Sequence, residues 1–191
     1  MRLPCPPLRL IVPALLALHV VACTPEQSGS PDAGAPDPYA AYGEPIVADE
    51  GEWSWVPFED AACGNGGDVG IGINPSSSSD RVLLYLEGGG LCWDDFTCNQ
   101  QQTALFVDRG FNSADLETFA EELGNVGLFN RADANNPFRD FSFVYVPYCT
   151  GDLHAGSRVD NDYGVMHVGY DNMGAYLHRV VPSFKGAKPY H

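Results

Sequence analysis

The sequence has few basic residues. Lysine and arginine together number 10, against 25 aspartate and glutamate residues, and the formal net charge is -15 at pH 7. A protein that binds nucleic acid neutralises phosphates with clustered lysine and arginine, and these residues form no cluster here. We therefore expect no nucleic-acid partner.

Long hydrophobic runs are also scarce. The run at residues 10–22, LIVPALLALHVVA, is shorter than the roughly 20 apolar residues that a bilayer span needs. Arg2 and Arg9 lie at or before its start, with no acidic residue among them. This arrangement predicts an export signal at residues 1–22. No later segment is predicted to span a membrane.

The predicted signal ends in Val20, Val21, Ala22 and Cys23, with polar residues after the cysteine. This pattern resembles the lipobox of bacterial lipoproteins, in which the cysteine becomes the lipidated first residue. The resemblance implies that the protein is exported and that Cys23 anchors it to a membrane surface of the bacterial cell envelope, periplasmic or outer. The alternative is an ordinary secretory signal that contains a cysteine.

Residues 23–43 are rich in proline, glycine, serine and alanine and show no apolar period, which predicts a flexible tether after the lipidated cysteine. The rest of the chain, residues 44–191, is predicted to fold. At 45% hydrophobic and 12% aromatic residues, the sequence is too apolar for wholesale disorder.

Four cysteines remain for the folded part: Cys63, Cys92, Cys98 and Cys149. An exported protein meets an oxidising environment, so these residues predict two disulfides. A zinc site is the competing interpretation, but the sequence has no C-x-x-C pair. We therefore expect no metal and no cofactor, and the disulfide pairing stays open among its three possibilities.

Two apolar runs predict buried strands of a parallel sheet, RVLLYLE at residues 81–87 and FSFVYVPY at residues 141–148. Between them, residues 103–109 and 114–123 have helical composition, with a glycine directly after each segment. The order strand, helical connection, strand predicts an α/β fold with a mainly parallel sheet.

Two flanking segments extend this prediction. A helix is expected over residues 172–180, closed by Pro182, because one apolar face recurs at helical spacing through Met173, Tyr176, Leu177 and Val180. Residues 53–58 and 70–74 predict a short antiparallel lead-in to the sheet. Alternating aromatic residues in the first of these strands are interpreted as its inward face rather than as a sugar-binding platform.

A run of three glycines follows the first strong strand, in EGGGLCWD at residues 87–94. Such a run leaves backbone N–H groups uncovered by side chains, and uncovered N–H groups can bind an anion. The spacing fits neither G-x-G-x-x-G nor G-x-x-x-x-G-K-[ST], which excludes the common nucleotide-binding loops. An oxyanion loop of an α/β-hydrolase and a tight turn without chemistry both remain open.

Three motifs together decide between these alternatives: YLEGGGLCWDDFTC, NPFRDFSFVYVPYCTGDLHAG and HVGYDNMGAYLHRVVPSF. In this order they resemble the N-terminal half of the pectin acetylesterase/Notum family of carboxylesterases, with the closest likeness to bacterial lipoprotein-like members. The resemblance covers roughly residues 53–184. It implies an α/β-hydrolase fold and a serine carboxylesterase that removes acetyl or other acyl groups from a polysaccharide or another O-acylated substrate.

The resemblance also implies roles for individual residues. The family's oxyanion hole uses backbone N–H groups of the glycine loop, which correspond to Gly89 and Gly90 here. Where the family often has tryptophan after the glycines, this chain has Leu91, and Trp93 follows beyond Cys92. We expect Trp93 to be a substrate contact.

The nucleophile that the resemblance implies is not found. No G-x-S-x-G pattern occurs in the sequence, and the family's Asp and His should follow that serine. Ser157 lies close in sequence to Asp152 and His154, but a triad depends on geometry across the fold rather than on sequence proximity. We expect the triad to be absent, the domain to be incomplete and this chain to be inactive alone. The alternative is a truncated, lipid-anchored remnant that is non-catalytic or only binds.

Asp152 and His154 lie in CTGDLHAG, directly after the second strong strand. Open α/β sheets bind ligands at the carboxyl ends of their strands, so we expect these two side chains to contact substrate. The alternative is a loop held by hydrogen bonds from the aspartate to its own backbone. His167 is expected to be a packed or hydrogen-bonded loop histidine.

Overall fold

The computed structural model describes residues 42–184 and residue 186. Within these residues the regular elements are β1 (Ser54–Ala62), β2 (Asp68–Asn74), β3 (Val82–Leu86), α1 (Ser113–Glu122), β4 (Ser142–Val146) and α2 (Gly169–Ser183). Short helical turns at Phe96–Gln100 and Gly127–Phe129 lie between β3 and β4. The predicted signal, Cys23 and the tether up to residue 41 lie outside the described residues. No described helix is both long and apolar enough to cross a membrane.

The strands form one mixed sheet in the order β1-β2-β4-β3. Strand β2 runs antiparallel to both neighbours, β1 and β4, and only β3 and β4 are parallel. The expectation of a mainly parallel sheet is therefore wrong for the described part of the chain. The β1–β2 hairpin, expected as a short lead-in, supplies two of the four strands and pairs directly with β4.

The hairpin strands extend beyond the predicted ranges, by residues 59–62 in β1 and by Asp68 and Val69 in β2. Every residue of β2 after Asp68 is buried. Gly72 allows close packing of α1 on this strand, since a Cβ atom at Gly72 would lie 2.5 Å from Cδ1 of Leu116. The two strands therefore form part of the main core rather than an appendage.

Aromatic side chains fill the core on the α1 face of the sheet. The ring centroid of Trp53 lies 5.3 Å from Phe119 and 5.6 Å from Phe129. On the other face, Phe58 contacts Tyr176 of α2 with centroids 4.9 Å apart. Both side chains therefore pack inward, but on opposite faces of the sheet rather than on the single inward face that was predicted.

Helix α1 confirms the prediction for residues 114–123. Its first turn carries a capping box, which satisfies N–H groups that would otherwise lack partners. The side chain of Asn112 accepts from Ala114 N at 2.9 Å, and Asp115 accepts from Asn112 N at 2.9 Å.

The helix predicted at residues 103–109 is wrong, and the segment forms turns instead. Ala104 pairs with Gly90 in an antiparallel β-bridge. Phe106 has a φ of 57°, which a right-handed helix does not allow. Tertiary pairing with the glycine run thus overrides helical composition here.

Helix α2 confirms the prediction for residues 172–180 but extends further at both ends. Pro182 lies inside its last turn instead of ending it beforehand. A proline cannot donate to the carbonyl four residues earlier, which is His178 O. Gly43 N donates to that oxygen at 3.0 Å, so the carbonyl has a partner and the helix continues to Ser183.

Both predicted disulfides are present, and the structure gives their pairing. Cys63 bonds to Cys149 and joins the end of β1 to the segment after β4. Cys92 bonds to Cys98 and closes a short loop after the glycine run.

Candidate active site

The glycine loop, residues 88–91, follows β3 at the carboxyl end of the only parallel strand pair in the described sheet. The post-β4 loop, residues 147–156, lies beside it. Two contacts join the strand ends: Glu87 N donates to Val146 O at 3.0 Å, and Tyr148 N donates to the Glu87 carboxylate at 3.0 Å. The two segments that sequence reasoning singled out therefore meet at the strand ends where α/β sheets bind ligands.

Backbone N–H groups of the glycine loop are available for a ligand. Among the residues that the structure describes, the N–H groups of Gly88, Gly89 and Gly90 have no hydrogen-bond acceptor. Gly88 and Gly90 are exposed to solvent. An oxyanion hole needs such unoccupied donors, and the predicted donors Gly89 and Gly90 are among them.

Steric space explains why glycine occupies two of these positions. A Cβ atom at Gly90 would lie 1.9 Å from Thr103 O, and the residue has a φ of +93°. At Gly89 a Cβ atom would lie 2.8 Å from Cδ1 of Tyr148. At Gly88 nothing lies within 4 Å, so only this position has room for a side chain.

Four carbonyl groups of residues 87–91 have fixed partners, and one of them, Leu91 O, accepts from Thr103 Oγ1 at 2.6 Å. The ring nitrogen Nε2 of His154 lies 2.8 Å from Glu87 O. Leu105 N donates to Gly89 O at 2.7 Å, and the hydroxyl of Tyr148 donates to Gly90 O at 2.7 Å. The segment is thus held by its carbonyl oxygens, while the N–H groups of Gly88, Gly89 and Gly90 remain unoccupied.

Asp152 ties the post-β4 loop together. Its carboxylate accepts from Thr150 Oγ1 at 2.6 Å and from His154 N at 3.0 Å. It also accepts from Gly156 N at 3.1 Å and from Gly169 N, at the start of α2, at 2.7 Å. These four donors account for the carboxylate without a ligand, as the alternative of an aspartate-held loop predicts. A substrate contact by Asp152 stays a prediction.

His154 is partly buried and points its ring at the glycine segment rather than into solvent. Its ring lies 5.0 Å from the ring of Tyr148, centroid to centroid. Its backbone has a φ of 56°, and His154 N is held by Asp152. A direct substrate contact by His154 also stays a prediction.

The carboxyl group of Glu87 lies under the same loops. Burial raises its pKa above the ordinary glutamate value, and hydrogen bonds from Tyr148 N and the Tyr145 hydroxyl offset part of that shift. Burial together with the negative charge of Glu87 raises the pKa of Tyr145 as well. Sequence reasoning gave no role to Glu87 or the two tyrosines, since only their contacts across the strand ends reveal one.

Two large apolar side chains, one in the glycine loop and one just after it, are exposed to solvent. Trp93 is 61% exposed and Leu91 is 39% exposed. Trp93 N donates to Thr97 Oγ1 at 3.0 Å, which fixes its backbone but leaves the indole ring at the surface. The predicted substrate contact by Trp93 is sterically open and stays a prediction.

Ser157, Asp152 and His154 do not form a catalytic triad. The hydroxyl of Ser157 donates to Asp171 at 2.9 Å. The ring of His154 is directed at Glu87 O, and the carboxylate of Asp152 faces backbone donors. Sequence proximity in this loop therefore gives no nucleophile.

Cys92, Cys98 and His167 are buried with their potential ligand atoms within 4.8 Å of one another. Both sulfur atoms belong to one disulfide, so they lack the thiolate charge with which cysteine binds zinc. The ring of His167 contacts Thr150 O at 2.8 Å and the Tyr163 hydroxyl at 3.1 Å. This confirms His167 as a hydrogen-bonded loop histidine.

A cavity of about 420 Å³ opens at the other end of the sheet. Serine side chains and Arg81 line it, next to the start of β3 and β4. It lies at the amino ends of the parallel pair, away from the glycine loop, and we assign it no role in the chemistry.

The model of the family described as PAE: Pectinacetylesterase matches residues 56–187. The chain belongs to the pectinacetylesterase family. The matched range includes the glycine loop, the post-β4 loop and both disulfides. The resemblance drawn from the three sequence motifs is thus confirmed at the level of the family.

Relatives within this family carry the name Notum. The palmitoleoyl-protein carboxylesterase NOTUM of Schmidtea mediterranea is 30% identical over 105 residues, which are 54% of this chain and 19% of that protein. The inactive palmitoleoyl-protein carboxylesterase notum1b of Danio rerio is 29% identical over 101 residues, 52% of this chain and 69% of that protein. This chain thus spans about a fifth of the planarian relative.

A solved structure of the Wnt deacylase Notum from Drosophila is also similar. Its TM-score is 0.43 at 15% sequence identity, with 74% of this chain and 41% of that chain covered.

Proposed function

We propose that this member of the pectinacetylesterase family serves in the hydrolysis of carboxylic esters, removing acetyl or other acyl groups from a polysaccharide or another O-acylated substrate. One observation carries the proposal. The glycine loop presents unoccupied backbone N–H groups, while Glu87 O, Gly89 O and Gly90 O accept hydrogen bonds from other parts of the chain. That arrangement suits an oxyanion hole and is unnecessary for a plain turn.

The chemistry follows from the charge that develops in acyl transfer. Attack on an ester carbonyl places a negative charge on its oxygen in the tetrahedral intermediate. Donors that are already oriented stabilise this charge without reorganisation, and losing one such donor typically lowers the rate about 100- to 1000-fold. The N–H groups of Gly88 and Gly90 belong to peptide groups whose carbonyl oxygens, Glu87 O and Gly89 O, have fixed partners. We assign these two N–H groups, together with that of Gly89, as the donors to the oxyanion.

The nucleophile is assigned to none of the serines in this sequence, since none lies in a G-x-S-x-G turn. The 191 residues by themselves are then expected to show no turnover of p-nitrophenyl acetate above a heat-killed control. Turnover that a serine-directed reagent abolishes would contradict this assignment. A non-catalytic protein that only binds is the second candidate, because the unoccupied N–H groups of the glycine loop suit a bound anion as well as a reaction intermediate.

Attachment to a membrane through lipidated Cys23, in the cell envelope of a bacterium, is also part of the proposal. Expression of the full chain in a bacterial host with labelled palmitate tests it. We expect label in the wild type and in Cys5→Ala, and at least a tenfold loss in Cys23→Ala. Equal labelling of the two variants would overturn the anchor.

The oxyanion site is tested by titrating the full chain with methylphosphonate, a tetrahedral anion, and following the backbone amides by NMR. An ionic strength of about 0.15 M screens the acidic surface beyond roughly 8 Å. We expect saturable shifts at Gly88, Gly89 and Gly90. Shifts elsewhere only, or none, would contradict an anion site in this loop.

A further inference from the structure

We propose that His154 and Tyr148 are positioning residues, which orient the N–H groups of the glycine loop by holding its carbonyl oxygens. The proposal rests on the proposed function for its purpose, although the orientation itself is measurable without a ligand. It also gives His154 a role other than the substrate contact expected from sequence.

The Tyr148 contact has a defined direction. Leu153 N donates to the Tyr148 hydroxyl oxygen at 2.9 Å. The carbonyl of Gly90 can only accept, so the single hydroxyl hydrogen of Tyr148 points to Gly90 O, 2.7 Å away. The tyrosine is 1% exposed, and its ring is in the space that a side chain at Gly89 would need. Tyr148 therefore has little freedom to move away from the loop.

The donor in the contact between His154 and Glu87 follows from the same argument. Glu87 O can only accept, so the Nε2 atom of His154, at 2.8 Å, carries a hydrogen. Both the neutral ring with hydrogen on Nε2 and the charged ring provide this donor. Asp152 accepts from His154 N and thereby fixes the backbone that carries the ring.

Planarity of the peptide bond converts these carbonyl contacts into N–H directions. In a trans peptide group, C=O and the next N–H point in opposite directions. Holding Glu87 O therefore orients the N–H of Gly88, and holding Gly90 O orients the peptide group that Gly90 shares with Leu91. Leu105 N, which donates to Gly89 O at 2.7 Å, orients the N–H of Gly90 between them.

Because each of these three hydrogen bonds holds a different peptide group, removing each one should change a different N–H direction. Leu105 uses a backbone group that side-chain substitution leaves in place. His154 and Tyr148 use side chains, so removing either one deletes one carbonyl contact and leaves the contact of Leu105 with Gly89 O intact. Gly88 and Leu91 are thus the reporters, and Gly90 is the internal reference.

The test uses the full chain labelled with ¹⁵N and measures residual dipolar couplings, which report N–H directions. In His154→Ala we expect the residual dipolar coupling of the Gly88 N–H group to fall by about half or more. In Tyr148→Phe we expect the same fall for the Leu91 N–H group. Gly90 should change little in both. His154→Gln, which keeps a side-chain N–H donor, should restore part of the Gly88 coupling. Tyr163→Phe, which removes a hydroxyl bound to His167, is the control.

Methylphosphonate binding provides the second readout. Losing the hydrogen bond from His154, which orients the assigned donor Gly88 N, should weaken the affinity about threefold to tenfold. Wild-type couplings at Gly88 and Leu91 in folded His154→Ala and Tyr148→Phe would overturn the positioning roles. If Tyr148→Phe does not fold, the partly exposed His154 variants decide alone. If the wild type binds no phosphonate, the proposed function fails, while the couplings still decide the inference.

Discussion

Strands β3 and β4 are neighbours in one sheet and have similar apolar sequences, yet they differ completely in burial. All five residues of β4 are buried, and none of the five residues of β3 is. Phe143 of β4 is 0% exposed, whereas Leu86 of β3 is 44% exposed. The difference comes from position: β4 lies between β2 and β3, while β3 has β4 as its only partner among the described strands. An apolar run thus predicts a strand but not its place in the sheet.

The same contrast holds for the two disulfides. Cys63–Cys149 connects residues 86 apart and ties the β1 end to the β4 end of the core. Cys92–Cys98 connects residues 6 apart and closes the short loop after β3. The core is therefore cross-linked between distant parts of the chain. The edge at β3, which carries the candidate site, is cross-linked only within one short loop.

The largest expected effect is on the core disulfide. By the loop-entropy relation, Cys63→Ser with Cys149→Ser should lower the free energy of unfolding by about 4.5 kcal/mol, and Cys92→Ser with Cys98→Ser by about 2 kcal/mol. Urea unfolding of the full chain measures both. Equal losses would break the contrast between core and edge.

A matched pair of strand substitutions sharpens the comparison. Phe143→Ala removes a fully buried ring and should destabilise the protein by about 3 to 5 kcal/mol. Leu86→Ala removes a half-exposed side chain and should cost no more than about 1 kcal/mol. Thermal unfolding followed by circular dichroism compares them. A loss above that limit for Leu86→Ala would indicate that β3 is covered in solution.

The smallest effect concerns pH at the end of β3. The pKa of Glu87 is raised in the folded state, so ionisation of this group opposes folding. As pH rises from about 4.5 through the raised pKa, the wild type should lose stability relative to Glu87→Gln. Urea unfolding of both proteins at pH 4 and pH 7 measures the change. Glu121→Gln, on the exposed side of α1, is the control. A wild type that gains relative stability with rising pH would contradict the burial of Glu87.

Sequence reasoning predicted both strong strands, helices α1 and α2, and the glycine loop, because these depend on local pattern. It could not predict that β2 pairs with β4, which made the sheet mixed, since strand order is a long-range property. The contact of Tyr148 with Gly90 escaped it for the same reason, as it joins residues 58 apart. The prediction of a helix at residues 103–109 was wrong because Ala104 pairs with Gly90, a long-range contact that helical composition does not indicate.

The central claim is that the exposed edge carries an oxyanion-binding glycine loop, and a pair of glycine variants tests it most directly. Gly88→Ala has free space, whereas Gly90→Ala would place its Cβ against Thr103 O at a φ of +93°. In methylphosphonate titrations followed at the loop amides, we predict that Gly88→Ala binds within about threefold of the wild type, while folded Gly90→Ala loses about tenfold or more. Unchanged binding by Gly90→Ala, with its amide shifts intact, would contradict the account.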